Sequence, residues 1–153
     1  MIFPVEIAPP ATWPYVCAMN HWLLKSDPEC YSFSDLERDK RTVWDGVTNA
    51  QAQQFIRQMK KGDRALIYHT GAEKSVIGLA DLVTDAYPDP KDPAGKLSVM
   101  ELKAGRRVAT PIALAMIKAE KAFKDFLLVR HSRLSVMPVP PPIWEALRDM
   151  GGW

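Results

Sequence analysis

Residues 64–83 read RALIYH, then TGAEKS, then VIGLADLV: two short apolar runs on either side of a polar, glycine-containing hexapeptide. Both runs carry β-branched or aromatic residues and both are short for a helix, so the stretch predicts an antiparallel hairpin. A lone hairpin is marginal in water and must recruit further strands to bury its faces. The chain supplies them in short pieces. HWLLK, residues 21–25, is aromatic-rich and stopped by Pro28; LSVMELK (97–103), FLLVR (126–130) and LSVMPV (134–139) complete the set.

Helical signals fall between these strands without regular alternation. In SDLE, Ser34 and Glu37 have the spacing of a reciprocal capping box, which starts a short helix at Asp35 and ends it by Lys40. Ala52, Phe55, Ile56 and Met59 recur at i, i+3, i+4 and i+7, with Asn49 as cap and Gly62 as stop. Thr110 and Pro111 predict the start of a helix over IALAMIKAE (112–120), and PPIWEALRDMGG (141–152) closes the chain as a helix stopped by Gly151. YPDPKDPAGK (87–96), with three prolines and a glycine, is an exposed loop. The expectation is a mixed α+β domain whose five to six strands curl toward a barrel, flanked by short helices.

Length and composition fit one such domain: 153 residues, 47% hydrophobic and 25% charged. The first nineteen residues hold four prolines and no Lys or Arg, unlike a secretory signal. They read as a poorly ordered leader that need not be native, since Met19 is an alternative start; the single domain spans 20–153. IALAMI (112–117) is the longest apolar run, far short of the roughly 20 residues of a membrane span. Two cysteines, Cys17 and Cys30, offer no ligand cluster and read as reduced thiols of an intracellular protein, cytoplasmic in a prokaryote and nuclear in a eukaryote. Neither metal nor cofactor is expected, and a monomer is favoured. A net charge of +2 is too small for bulk attraction to nucleic acid, so any such partner must be held by a local site.

Four stretches place polar groups beside aromatics at strand or helix ends: WLLKSD, VWDGVTN, IYHTG and RHSRLS. An aromatic flanked by an amide, hydroxyl or imidazole can stack a flat ring and read its hydrogen-bonding edge, as in base-binding pockets. Taken singly, Trp22 and Trp44 read as core packing rather than as ligand platforms, and the plain reading of Lys25 is a solvated strand end.

In combination, HWLLKSDPECYSFSDL, WDGVTNAQAQQF, MKKGDRALIYHTG, AYPDP, RLSVMPV and WEALRDMGG resemble the EVE domain family of the PUA-like superfamily, from Asn20 to Gly152. The resemblance implies a curled barrel that reads a modified base of DNA or RNA and has no catalytic activity. It implies Lys25 and Ser26 at the barrel mouth beside Trp22, Trp44 as a stacking face, Asn49 as a pocket-edge donor and acceptor, and Tyr68 with His69 as the opposite wall. Arg130, Ser132 and Ser135 complete a polar rim. The chain departs from the family's usual residues at Thr48, where arginine is common, and at Asp27, Thr70 and Met137. Threonine at 48 does not supply the forked cation that arginine would.

Two alternatives stand beside this one. An enzyme acting on a modified nucleobase or nucleotide would draw on His21, His69 or His131, although the sequence holds no metal-spaced His or Cys pair, no GxSxG elbow and no Walker loop. A protein-interaction module would use the proline-rich leader or PVPPP (138–142), whose simpler reading is a rigid connector into the last helix.

Overall fold

Strand β1, His21–Ser26, buries Trp22, Leu23 and Leu24 in succession rather than on alternate positions. It lies inside the sheet, one place from the edge, and both of its faces are covered at these positions. It pairs in parallel with β3 (Arg64–His69) and antiparallel with β7 (Val136–Pro138). The computed structural model describes residues 20–153; the leader expected over 1–19 lies outside them. Parallel neighbours need a long crossover, and α1 (Phe33–Asp39), β2 (Arg41–Trp44) and α2 (Ala50–Ile56) provide it. The hairpin expected from residues 64–83 is β3 with β4 (Ser75–Leu82). After the two-residue β5 (Tyr87–Pro88) comes β6 (Ser98–Ala113), then α3 (Leu114–Ala119), a 3₁₀ turn at 121–123, α4 (Leu127–Arg130), β7 and α5 (Pro141–Gly151).

The described residues form a mixed sheet in the order β2-β6-β4-β3-β1-β7, with β5 added on β6. β6 is sixteen residues long, and its ladder with β4 shifts register on both sides of Gly78. Such irregularities bend a strand and increase its twist, so the sheet curls into a half-barrel around Leu23, Leu66, Met100 and Leu102, all fully buried. The curl brings the two ends of the strand order, β2 and the β1–β7 pair, to face each other.

Several local expectations are corrected. The capping box is Ser32 with Asp35, and α1 begins at Phe33. Ser34 and Glu37 instead both accept from the Arg107 guanidinium, at 2.7 and 3.0 Å. α2 starts from Asn49 as expected but ends at Ile56. Met59 is fully buried outside it, after the chain tightens through i→i−3 bonds from Gln58 and Met59. Thr110 and Pro111 lie within β6, because Ile112 and Ala113 still pair with Val76 and Ser75. β2 pairs with β6 only at residues 100–103, so Pro111, which lacks an N–H, sits where no second ladder requires one. FLLVR is the short helix α4, not a strand. The last helix is stopped by Gly152 in the left-handed region, φ 73°, rather than by Gly151.

Candidate base-binding cavity

A cavity of about 530 Å³ lies between the facing ends of the sheet, within the roughly 300–1,000 Å³ usual for small-molecule sites. Lys25, Ser26 and Ser135 line one side; Tyr31, Trp44 and Asn49 line the other. Five of these six residues are among those expected from the sequence, and they come from three separate segments.

β1 delivers Lys25 and Ser26 to the mouth because it stops there. The chain reverses at Asp27–Pro28, where the Asp27 carbonyl accepts from the amides of Cys30 and Tyr31 and its carboxylate accepts from the Glu29 amide at 2.9 Å. The Ser26 hydroxyl donates to the Tyr31 carbonyl, which pins the turn and leaves the serine oxygen able only to accept. The Lys25 ammonium donates to the Ser132 carbonyl at 2.8 Å and stands 5.8 Å from the Tyr68 ring centroid. Partial burial lowers its pKa below the ordinary lysine value. One of its three donors is thus spent on the 130–135 loop, and two remain for a ligand.

On the facing side, Trp44 ends β2, 9% exposed, with the Tyr31 ring edge-on at 6.4 Å. The loop from Asp45 to Asn49 turns through Gly46 at φ 78° and is held by one buried side chain. Gln53 donates to the carbonyls of Val47 (2.6 Å) and Ser98 (3.2 Å) and accepts from the Ser98 amide (2.8 Å). Gln53→Leu leaves these backbone groups unpaired and is expected to cost about 2 kcal/mol, read as a lower urea midpoint; an unchanged midpoint would remove Gln53 as the staple of this loop. Asn49 accepts from the Ala52 amide at 2.9 Å to cap α2, which leaves its NH₂ as the end free for a ligand.

The EVE domain profile matches residues 20–150. The chain belongs to the EVE domain family. Human thymocyte nuclear protein 1 is 33% identical to it over 154 aligned positions, covering 78% of this chain and 68% of the relative. Among solved structures, a Rhodopseudomonas palustris protein superposes with a TM-score of 0.84 at 38% identity, over 88% of this chain and 94% of that one. The human THYN1 protein in complex with 5-methylcytosine-containing DNA superposes with a TM-score of 0.80 at 28% identity, over 88% and 98%.

Not every expected site residue of this EVE domain lines the cavity. Trp22 is buried elsewhere in the core, and its indole donates to the Asp63 carboxylate at 2.9 Å. Tyr68 and His69 do not form the opposite wall. Tyr68 lies buried beside Lys25, its partner across the β1–β3 ladder. His69 is 5% exposed, with Nε2 accepting from the Phe33 amide at 2.9 Å and Nδ1 bonded to the Glu73 carboxylate at 2.8 Å. A histidine beside a carboxylate is a feature of general-base catalysis, yet this one spends its second nitrogen on the first amide of α1. Arg130 and Ser132 line an adjoining groove of about 340 Å³ with Arg133, which meets the cavity at Asn49. Arg130 also pairs with Asp125 at 3.6 Å.

Sequence reasoning missed two contributors. Tyr31 had a faint signal, an aromatic just past an Asp-Pro turn; Gln53 had the clearer one, a polar residue four positions past the Asn49 cap, beside the apolar stripe of Ala52 and Ile56. Among the described residues no three His, Cys, Asp or Glu side chains gather as metal ligands, and no helix is long and apolar enough to cross a membrane.

Proposed function

We propose that this EVE domain is a non-catalytic reader of nucleic acid that accepts a modified base, for example a methylated one, of DNA or RNA into the cavity between Trp44 and the Lys25–Ser26 turn. The observation that carries this reading is the convergence of Lys25, Ser26, Trp44, Asn49 and Ser135 on one cavity. The human THYN1 protein, seen in complex with 5-methylcytosine-containing DNA, supports the same class of ligand.

The proposed division of labour follows from the groups. The indole of Trp44 stacks the base, worth about 1–3 kcal/mol, against a cost of a few kcal/mol to extrude it from a duplex. Lys25 and the Asn49 amide donate to ring carbonyls and nitrogens; Ser26 accepts from an exocyclic amine. A buried methyl adds about 0.8 kcal/mol, a several-fold preference, so sharper discrimination must come from polar mismatch with the wrong base. Arg130 and Arg133 in the adjoining groove neutralise flanking phosphates. Each phosphate so neutralised adds about 0.9 to the slope of log affinity against log salt for duplex DNA.

The test is an anisotropy titration of the full chain against matched DNA and RNA oligonucleotides carrying plain cytosine, 5-methylcytosine, 5-hydroxymethylcytosine or N6-methyladenine at one position. The expected result is one modified base bound about tenfold or more tighter than its plain counterpart, a difference of about 1.4 kcal/mol. Equal affinity across the panel would discard base reading.

A further inference from the structure

We infer that the end of the half-barrel opposite the base cavity carries a separate site for a phosphate-type oxyanion, formed by Arg64, Arg106 and Arg148 beside Trp144 and Trp153. These residues, with Asp81, line a cavity of about 330 Å³. The strand register sets its distance from the first cavity. Ser26 pairs with His69 at the base-binding end of the β1–β3 ladder, and His21 pairs with Arg64 at the other, five residues away or about 16 Å. The two cavities share no lining residue.

Charge and donor chemistry define the ligand. Three guanidinium groups face the cavity against the single carboxylate of Asp81, which pairs with Arg64 at 3.3 Å. Arg106 and Arg148 are exposed and form no ion pair among the described residues. Trp144 and Trp153 add indole N–H donors to the lining, and that of Trp153 is buried with no hydrogen-bond partner among the described residues. A buried donor left unpaired costs roughly 1–3 kcal/mol, and native structures leave few of them.

The backbone builds this arrangement on purpose-made geometry. Gly152 at φ 73° reverses the chain after α5, and Trp153 folds back over Gly151, where a Cβ would lie 2.6 Å from its ring. The ring then meets Trp144 edge-on, with centroids 5.4 Å apart. Guanidinium and indole groups donate and never accept. Their complement is a ligand made of acceptors with negative charge, and the arginine fork matches the oxygen spacing of a phosphate. Such oxygens can come from a free phosphate compound or from the backbone of a nucleic acid that extends to this end. The site does not depend on the base-reading assignment.

The experiment is an amide and indole ¹H–¹⁵N spectrum of the full chain, titrated with sodium pyrophosphate at constant ionic strength. The five tryptophans give five indole signals, and Trp153→Phe identifies the one that matters. The expected result is a saturable shift of the Trp153 indole proton, with affinity weakened about tenfold or more in Arg106→Gln/Arg148→Gln and unchanged in Trp44→Leu. Both arginines are exposed, so the double variant keeps the fold. An unmodified oligonucleotide that displaces pyrophosphate assigns the natural phosphate to a polymer; one that binds alongside it assigns a free phosphate compound. Absence of a saturable Trp153 shift, or a shift undiminished in the double arginine variant, would overturn the site, whatever the base panel shows.

Discussion

Gly78→Val is expected to lower the unfolding free energy by about 3 kcal/mol or more, at or beyond the upper end for overpacking a filled core. A Cβ at this position would lie 2.4, 2.5 and 2.8 Å from three carbons of the Phe33 ring. That ring has no room to retreat. Phe33 is fully buried, its amide is bonded to His69 Nε2, and the Arg107 guanidinium covers the ring at 5.2 Å. Urea denaturation measures the loss. The double variant Gly78→Val/Phe33→Leu is expected to be more stable than the sum of the two single effects, since the smaller side chain relieves the clash. Strict additivity would show that the two sites do not meet as described.

Trp44→Leu is expected to weaken binding of the preferred modified oligonucleotide by about 10- to 100-fold, the loss of most of one base-stacking interaction. Leucine keeps apolar volume at a site only 9% exposed, so the fold survives with a reduced melting temperature. Affinity for the unmodified oligonucleotide should fall less, because the contacts proposed for Arg130 and Arg133 remain. Trp44→Phe retains a ring and should recover most of the difference. Undiminished preference in the leucine variant would move the stacking face elsewhere, with Tyr31 the next ring in the cavity wall.

What the sequence disclosed was local. The hairpin from 64 to 83, the Asn49 cap and α5 are each specified by turn residues, caps and periodicity within about a dozen positions, and they stand in the structure, α5 with its stop one residue later than read. Lys25 and Ser26 were legible for the same reason, since an apolar run halted by Asp27–Pro28 must end where its polar residues meet solvent or a ligand. FLLVR was not legible, because a short apolar run fits strand or helix equally. It becomes α4 since Phe126 accepts from Val129 and Arg130, and β7 at 136–138 already occupies the edge of β1. Thr110–Pro111 carried a helix-start signal that pairing of Ile112 and Ala113 with β4 overrode.

Membership of the cavity required the whole sheet. Period-two alternation says that neighbouring strand residues point to opposite faces, but not which face meets which segment. In a flat sheet β2 and β7 would lie at opposite edges, too far apart for Trp44 and Ser135 to line one cavity. The register shifts around Gly78 curl the sheet until they do. Tyr68 and His69 are both buried in β3, and an imidazole which the sequence offered as a pocket wall closes the end of α1 instead. Chain-local chemistry named most of the groups that can touch a ligand; the curvature of a seven-stranded sheet, which sums contacts between residues up to about a hundred positions apart, selected those that share a cavity.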